Sequence, residues 1–266
     1  MTDLLAALAV VLNGIPQGLL ALSFGFAAFP TAAAFLVGVV GSLAFHSVAT
    51  ISFQAETITL AGTMGQNVRE RLSLVFWGGV FLLIPSILGM NEAIVAFIGP
   101  TIVTSMMAGV GVMLAGVSVD LYRSEKFSGA ASFLVAFGVW FLTQDLAKTI
   151  ILSVLASTGV YNLLRYGLKR PVDAPEIHLE NERFHVGNIE WRFWTNRRIF
   201  LGALAMGCLN IGANISFGKI TGSIAGANAN IDHLAVYSCL ADMASTFLGG
   251  GPVEAIISGT ATAPNP

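Results

Sequence analysis

The sequence predicts an all-α polytopic membrane protein, and three observations support that prediction. The chain is 55% hydrophobic and only 11% charged, whereas soluble domains carry roughly 25% charged residues. No Asp, Glu, Lys or Arg occurs in residues 4–55 or 93–119, and an apolar run of about 18 residues or more indicates a membrane span. Two further apolar stretches, residues 50–63 and 249–260, are short or broken by Gly and Pro. Such a pair in two halves of a chain points to a transporter's binding site.

Composition also excludes several classes of protein. The net charge of -2 leaves no basic face for nucleic acid. Cys208 and Cys239 both lie in apolar runs, so neither a disulfide framework nor a metal site is expected. A cleaved signal peptide is not expected, because Asp3 stands where a basic leader would begin. No catalytic constellation of nucleophile and histidine is visible, so we expect neither an enzyme nor a cofactor.

The first repeat is expected to occupy residues 1–168 and to hold about seven membrane segments. A break is expected at 13–17, where Pro16 interrupts the first segment, and 93–119 is long enough to cross as one tilted helix. Asp145 and Lys148 are three residues apart and are expected to pair on one helix face. The apolar stretches in order are 4–29, 30–49, 50–63, 72–88, 93–119, 127–143 and 150–164.

A polar linker is expected at residues 169–198, and its end, with Trp191 and Trp194, is expected to dock at the membrane interface. Residues 199–266 then begin a second repeat, with segments eight to ten at 199–217, 233–249 and 249–266. Four further segments of the pattern are absent, which indicates either a fragment or a truncated relative. We interpret Asp242 as structural or interfacial.

The two broken stretches each contain one carboxylate, Glu56 and Glu254. A half-helix that begins inside the bilayer exposes N–H groups at its positive end, and two such ends facing each other would hold an anion or a polar ring. An acid at the bilayer centre costs roughly 2.5–3.5 kcal/mol, so both should face a cavity, a partner or water and could carry a proton. The alternative is that each caps a half-helix. Lys219 would either face an anionic substrate or extend to the interface.

Several motifs resemble two related families of membrane transporters. Ile15-Pro16-Gln17-Gly18, Gly99-Pro100, Asn230 to Ser245 and Gly250-Gly251-Pro252 resemble the sulfate permease family. Phe53 to Thr57 and Met64 to Asn67 are more similar to the xanthine/uracil, or nucleobase–ascorbate, permeases. The resemblance implies a fold of two inverted repeats of seven segments each. In the third and tenth segments, a short β-strand followed by a half-helix would meet its counterpart near the midplane.

The resemblance also implies which residues bind substrate and protons. The eighth segment has Ser216, Phe217 and Lys219 where nucleobase permeases place an acid, and Ser258 stands where a tenth-segment glutamate would be. Glu56 and Glu254 are the candidates for proton coupling. The candidate substrate-binding residues are Gln54, Glu56, Thr57, Asn214, Ser216, Pro252, Glu254 and Ser258.

The function implied is secondary active transport, with proton-coupled uptake of a purine or pyrimidine nucleobase as the first hypothesis. A sulfate-permease-like anion transporter is the second, and a truncated membrane protein without transport activity is the third. The expected partners are a small-molecule substrate, protons, the lipid bilayer and a second copy in a homodimer. The expected location is a bacterial plasma membrane, crossed several times.

Overall fold

The computed structural model describes residues 2–169, 184–227 and 229–263, and it places them in eleven helices and two short strands. A π-helical turn, Leu163–Gly167, extends α8. The elements in chain order are α1 (Thr2–Ser23), α2 (Ala28–Ala44), β1 (Thr50–Phe53), α3 (Ala55–Met64), α4 (Val68–Ile87), α5 (Asn91–Ile98), α6 (Pro100–Ser124), α7 (Lys126–Thr143), α8 (Leu146–Asn162), α9 (Arg197–Ala225), α10 (Ile231–Phe247), β2 (Val253–Ile256) and α11 (Ile257–Thr262).

Five helices of the described residues are long and apolar enough to cross a membrane: α1, α4, α7, α8 with its π-helical turn, and α9. Large apolar side chains on their outer faces are exposed, such as Phe133 and Leu142 on α7. In water this would be costly, but lipid is the natural solvent for such a surface. The prediction of an all-α polytopic membrane protein is therefore confirmed.

Two predicted boundaries are wrong. The expected break at residues 13–17 does not occur, because α1 runs through Pro16 without interruption. Membrane helices tolerate an internal proline when neighbouring groups satisfy the freed backbone atoms. The single span expected at 93–119 is instead two helices, α5 and α6. Gly99 separates them with a φ of 84°, and Pro100 takes the first position of α6, where its missing N–H costs no hydrogen bond.

The interior is built around α4 and α10. Helix α4 packs against both α9 and α10, and α10 also packs against α2 and β2. The largest group of buried apolar residues includes Ile58, Leu72, Leu74, Val75 and Met206. Small residues let these helices approach closely, as lipid-embedded packing requires. Helices α6, α7 and α8 lie outside this interior, and no α7 residue is buried.

The end of the predicted linker packs against α4. Trp77 Nε1 donates a hydrogen bond to the Glu190 carbonyl at 3.0 Å, and Trp77 stacks on Phe193 at 4.0 Å between ring centroids. Trp191 and Trp194 keep 51% and 64% of their surface exposed, in the manner of interfacial tryptophans. Residues 170–183 of the linker lie outside the described residues, and the division into repeat, linker and second repeat stays a prediction.

The expected pairing of Asp145 with Lys148 is confirmed. Lys148 Nζ lies 2.9 Å from Asp145 Oδ2, and the Lys148 backbone N–H donates to Asp145 Oδ1 at 3.1 Å. Asp145 thereby caps the N-terminus of α8. The hydrogen bond from the Lys148 side chain, followed by the one from its backbone, lowers the pKa of Asp145 below its ordinary value.

Candidate functional site

The two broken stretches meet as a pair of antiparallel strands. Ser52 lies opposite Glu254, and Phe53 lies opposite Val253. Helix α3 begins at Ala55, directly after β1 and Gln54, and α11 begins at Ile257, directly after β2. Non-helical backbone survives at membrane depth only when it is buried or lines a cavity, and pairing satisfies the strands' own N–H and C=O groups. The strand-plus-half-helix arrangement predicted for both stretches is confirmed.

The turn before β2 is hydrogen-bonded to the start of α2 and to α10. The Ala27 N–H donates to the Gly249 carbonyl at 3.0 Å, and the Gly251 N–H donates to Thr31 Oγ1 at 2.8 Å. Ser245 Oγ donates to the Gly251 carbonyl at 2.6 Å. Only glycine fits at position 250, because a Cβ there would lie 2.7 Å from the Thr31 backbone nitrogen. The glycine at this position therefore permits a close approach of the turn to α2.

A cavity of about 330 Å³ opens at the N-terminus of α3. Gln54, Ala55 and Glu56 form one wall. Another wall is formed by Ile256 at the end of β2 and Ile257 at the start of α11. Helix α1 contributes Gln17, whose Oε1 is buried without a hydrogen-bond partner among the described residues. The remaining lining residues are Pro16, Leu20, Phe53, Ser118, Leu121 and Phe217. The cavity is therefore mostly apolar, with a few polar groups at one helix end, which is the usual character of a small-molecule site.

Glu56 is the carboxylate that faces this cavity. It occupies the second position of α3, is 6% exposed, and lies where the N–H groups of the first helical turn point. The helix macrodipole favours a negative charge there by about 0.3–1 kcal/mol. Ser258 takes the corresponding second position of α11. Its hydroxyl accepts a hydrogen bond from Asn13 Nδ2 of α1 at 3.1 Å. Glu56 and Ser258 thus occupy the same position in their half-helices, but one side chain is an acid and the other is a neutral hydroxyl.

Glu254 does not occupy the position in its half-helix that Glu56 occupies in α3. The alternative that each glutamate caps a half-helix is wrong for Glu254, because it lies in β2, four residues before Ser258. It is 1% exposed, and Asn214 Nδ2 lies 3.5 Å from its Oε2. The two stretches look alike because each glutamate precedes a Gly-Thr pair, Gly62-Thr63 or Gly259-Thr260. However, the half-helix begins before Glu56 in the first stretch and after Glu254 in the second.

Behind the strand pair lies a buried polar cluster, formed by Gln54, Thr57, Asn210, Asn214, Asp242 and Glu254. The Thr57 hydroxyl donates to Gln54 Oε1 at 2.6 Å and lies 3.4 Å from Asn210 Oδ1. Asn214 Nδ2 also donates to the Asn210 carbonyl at 2.9 Å. Asp242 Oδ1 accepts the Val253 N–H at 2.7 Å, and its carboxyl group is within hydrogen-bonding reach of that of Glu254. All six residues are at most 2% exposed.

The predicted site residues therefore separate into groups. Gln54 and Glu56 line the cavity, whereas Thr57, Asn214 and Glu254 belong to the polar cluster, which Gln54 also joins. Ser258 contacts α1. Pro252 is buried just before β2, and Ser216 is half-buried on α9; neither is among the described residues that line the cavity. Lys219 is exposed near the end of α9 and does not line it either.

Sequence reasoning missed three members of this site: Gln17, Asn210 and Asp242. Asn210 and Asn214 are four residues apart, so they share one face of α9, and that spacing was visible in an apolar segment. Asp242 is the sole acid of α10 beyond its first turn, and an ionisable residue inside a membrane segment is a functional candidate by default. Asp242 is 1% exposed and accepts the Val253 N–H, which agrees with a structural position and not with an interfacial one.

No family model matches the chain, and no curated protein matches it. Among solved structures, the transmembrane domain of the cyanobacterium bicarbonate transporter BicA is similar to it, with a TM-score of 0.68. The similarity covers 98% of this chain and 76% of that chain, at 13% sequence identity. The fold is the 7+7 inverted-repeat fold. This similarity shows the fold, which both resembled families share, and gives no support to a nucleobase permease in particular.

Proposed function

We propose that this protein is a secondary transporter that moves a small inorganic oxyanion across a membrane together with a proton. The observation that carries the proposal is the cavity at the N-terminus of α3, where backbone N–H groups, Gln54 and Glu56 converge in apolar surroundings. Helix N-termini bind anions through these N–H groups and the macrodipole. The fold similarity to a bicarbonate transporter domain supports an anion over a nucleobase.

Glu56 supplies the reason for coupling to a proton. An anion in the cavity about 4 Å from an ionised Glu56 would be repelled by about 4 kcal/mol at an effective dielectric constant of about 20. The helix macrodipole offsets roughly 1 kcal/mol of this, up to about 2 in a partly buried site. Binding is favourable once Glu56 is protonated, because the neutral acid donates a hydrogen bond to the anion. Anion and proton therefore bind together.

A neutral nucleobase would not impose this requirement. An uncharged ring could accept or donate hydrogen bonds with an ionised Glu56 and with Gln54, so its binding would not need a proton. Binding that requires a proton is therefore expected of an anion, and the identity of the substrate taken up separates the two classes. The proposal includes assembly as a homodimer and location in a bacterial plasma membrane.

The test is uptake by proteoliposomes that contain the purified protein. Labelled bicarbonate and labelled sulfate are supplied separately with an inward proton gradient, and labelled uracil and xanthine are supplied under the same conditions. Uptake of one of the anions, abolished by collapse of the gradient, is the expected result. Uptake of uracil or xanthine with neither anion transported would overturn the proposal, and so would transport of none of the four.

The variant Glu56→Gln tests the assigned proton carrier, and Glu92→Gln is its matched control. Glu92 also occupies the second position of its helix, α5, but it is exposed outside the cavity. Both variants lose the same favourable charge at a helix N-terminus. We expect Glu56→Gln to remove the response to the proton gradient and Glu92→Gln to retain it. Equal responses in the two variants would exclude Glu56 as the carrier.

A further inference from the structure

Asp242 of α10 and Glu254 of β2 face each other in the polar cluster, away from the cavity. Each is 1% exposed, and their carboxyl groups lie within hydrogen-bonding reach of each other. The contact is fixed by the backbone, since the N–H of Val253, the residue before Glu254, donates to Asp242 Oδ1 at 2.7 Å. Neither side chain is among the cavity-lining residues.

Two ionised carboxylates offer only acceptors, so they cannot hydrogen-bond to each other. A hydrogen bond between them requires a proton on one. Like charges this close in a water-excluded site cannot both ionise, and such pairs share one proton. Glu254 Oε1 is buried without a donor among the described residues, which leaves the pair one donor short. A proton held between the two groups supplies a donor.

The surroundings fit a pair that carries one proton and one negative charge. Amide donors point at it: the Val253 N–H at Asp242, and Asn214 Nδ2 at Glu254 Oε2. Gln54 also lies near the Glu254 side chain, and its Nε2 is buried without a hydrogen-bond partner among the described residues. Hydrogen bonds of this kind to a charged group are worth roughly twice those between neutral groups.

No cation among the described residues neutralises the pair. The titratable groups that face it are Glu56 on α3 and Cys239 on α10 itself. Helix α2 carries no titratable residue, α4 carries charge only at Arg69, Glu70 and Arg71 near its start, and Lys219 of α9 is exposed. Since Glu56 is also acidic, ionisation of the pair and ionisation of Glu56 oppose each other.

We propose that Asp242 and Glu254 hold one proton between them and form a second proton-binding site behind the strand pair, distinct from Glu56. The carboxyl pair itself follows from the contacts in the fold. Its use in transport rests on the proposed function. Gln54 lines the cavity and also lies beside Glu254, so substrate that shifts Gln54 or β2 would alter the hydrogen bond between the two groups.

Infrared spectroscopy of the purified protein tests the pair without any substrate. The wild-type protein is expected to show the absorption of a hydrogen-bonded protonated carboxyl group at neutral pH, shifted in D₂O. Asp242→Asn and Glu254→Gln should each change that same band, and the double variant should change it no more than either single variant. Asp232→Asn, a matched replacement on the same helix, and Glu56→Gln should leave it in place.

An unchanged band in both single variants, or its absence from the wild-type protein, would overturn the proposal. If Asp242→Asn fails to fold, Glu254→Gln alone decides, because its amide still fits beside Asn214. Transport is a separate measurement: the number of protons carried per anion should fall in Glu254→Gln relative to Asp232→Asn. If the wild-type protein carries no anion while the infrared result holds, the proposed function fails and the proton site stands.

Discussion

Ser52 on β1 lies directly opposite Glu254 on β2 in the antiparallel pair. This register determines which side chains of β2 face the polar cluster, because a slip of one residue would turn every side chain of the strand to the other face. The position of the Glu254 carboxyl group beside Asp242 therefore depends on how β2 is held. The turn at residues 249–251 and the start of α11 hold it.

Gly250→Ala is expected to destabilise the protein. The added methyl group would press on the Thr31 backbone nitrogen, which cannot move without shifting α2. Overpacking of this kind costs about 1–3 kcal/mol. The measurement is the free energy of unfolding in a denaturing detergent series. Gly138→Ala on α7 is the control, because a Cβ there meets nothing within 4 Å among the described residues. If the two variants are equally stable, the close approach at Gly250 is not what holds the turn.

The hydrogen bond between Asn13 and Ser258 should couple α1 to α11. A double-mutant cycle with Asn13→Ala and Ser258→Ala is expected to give a coupling energy of about 0.6 kcal/mol, the average for side-chain hydrogen bonds within a membrane protein. The coupling energy is calculated from the unfolding free energies of the wild-type protein, both single variants and the double variant. The control cycle pairs Asn13 with Thr262, whose hydroxyl bonds to the Ser258 and Gly259 carbonyls of its own helix. Additive effects in the first cycle would contradict the contact.

Tyr237→Phe should loosen the start of β1. The hydroxyl donates to the Ala49 carbonyl at 2.8 Å and lies 3.0 Å from Ser47 Oγ, just before the strand. Losing it costs about 1 kcal/mol and leaves the buried carbonyl without this donor. Unfolding of the variant in detergent measures that cost. Tyr122→Phe, at an exposed position of α6, should show no comparable loss. A matching decrease there would indicate a general effect of removing a tyrosine hydroxyl.

Asp145→Asn should lower stability only when the native carboxylate is ionised. Asn caps a helix as well as Asp, so the change isolates the charge that pairs with Lys148. The folded-state pKa of Asp145 is lowered, so its contribution is present above the ordinary carboxyl pKa and is lost as pH falls through the lowered value. For a partly exposed pair we expect a loss of roughly 0.2–1 kcal/mol at neutral pH.

The measurement for this pair is the unfolding free energy of wild type and variant, compared at neutral pH and in acid. The difference should disappear in acid. Asp120→Asn is the control, since Asp120 pairs with Arg123 at 3.6 Å and both side chains are more than 70% exposed. A difference between wild type and Asp145→Asn that persists unchanged at low pH would attribute the effect to packing or capping instead of charge.

The sequence predicts the membrane class and most segments because charge-free runs and their lengths are local properties. The shortness of the two broken stretches indicated that they do not cross as helices, and the family resemblance implied that they meet as strands. The offset of Glu254 from the half-helix start was indicated by the family resemblance, which places Ser258 where a tenth-segment glutamate would be. Local sequence alone could not show it, because helix and strand residues look alike over so few positions. The break at Gly99 was missed because a Gly-Pro step inside a long apolar run does not show whether the chain bends or stops. The role of Asp242 depends on contact with a strand that only the folded chain brings near.

The strand pair also bears on how the protein is made. β1 finds its partner only about 200 residues later along the chain. At synthesis rates of about 5–20 residues per second, β2 leaves the ribosome roughly 10–40 seconds after β1. During that interval the backbone groups of β1 have no strand to pair with, and each unsatisfied group in hydrocarbon costs several kcal/mol. The backbone groups of β1 therefore need other partners, in protein or in water, until β2 has been made.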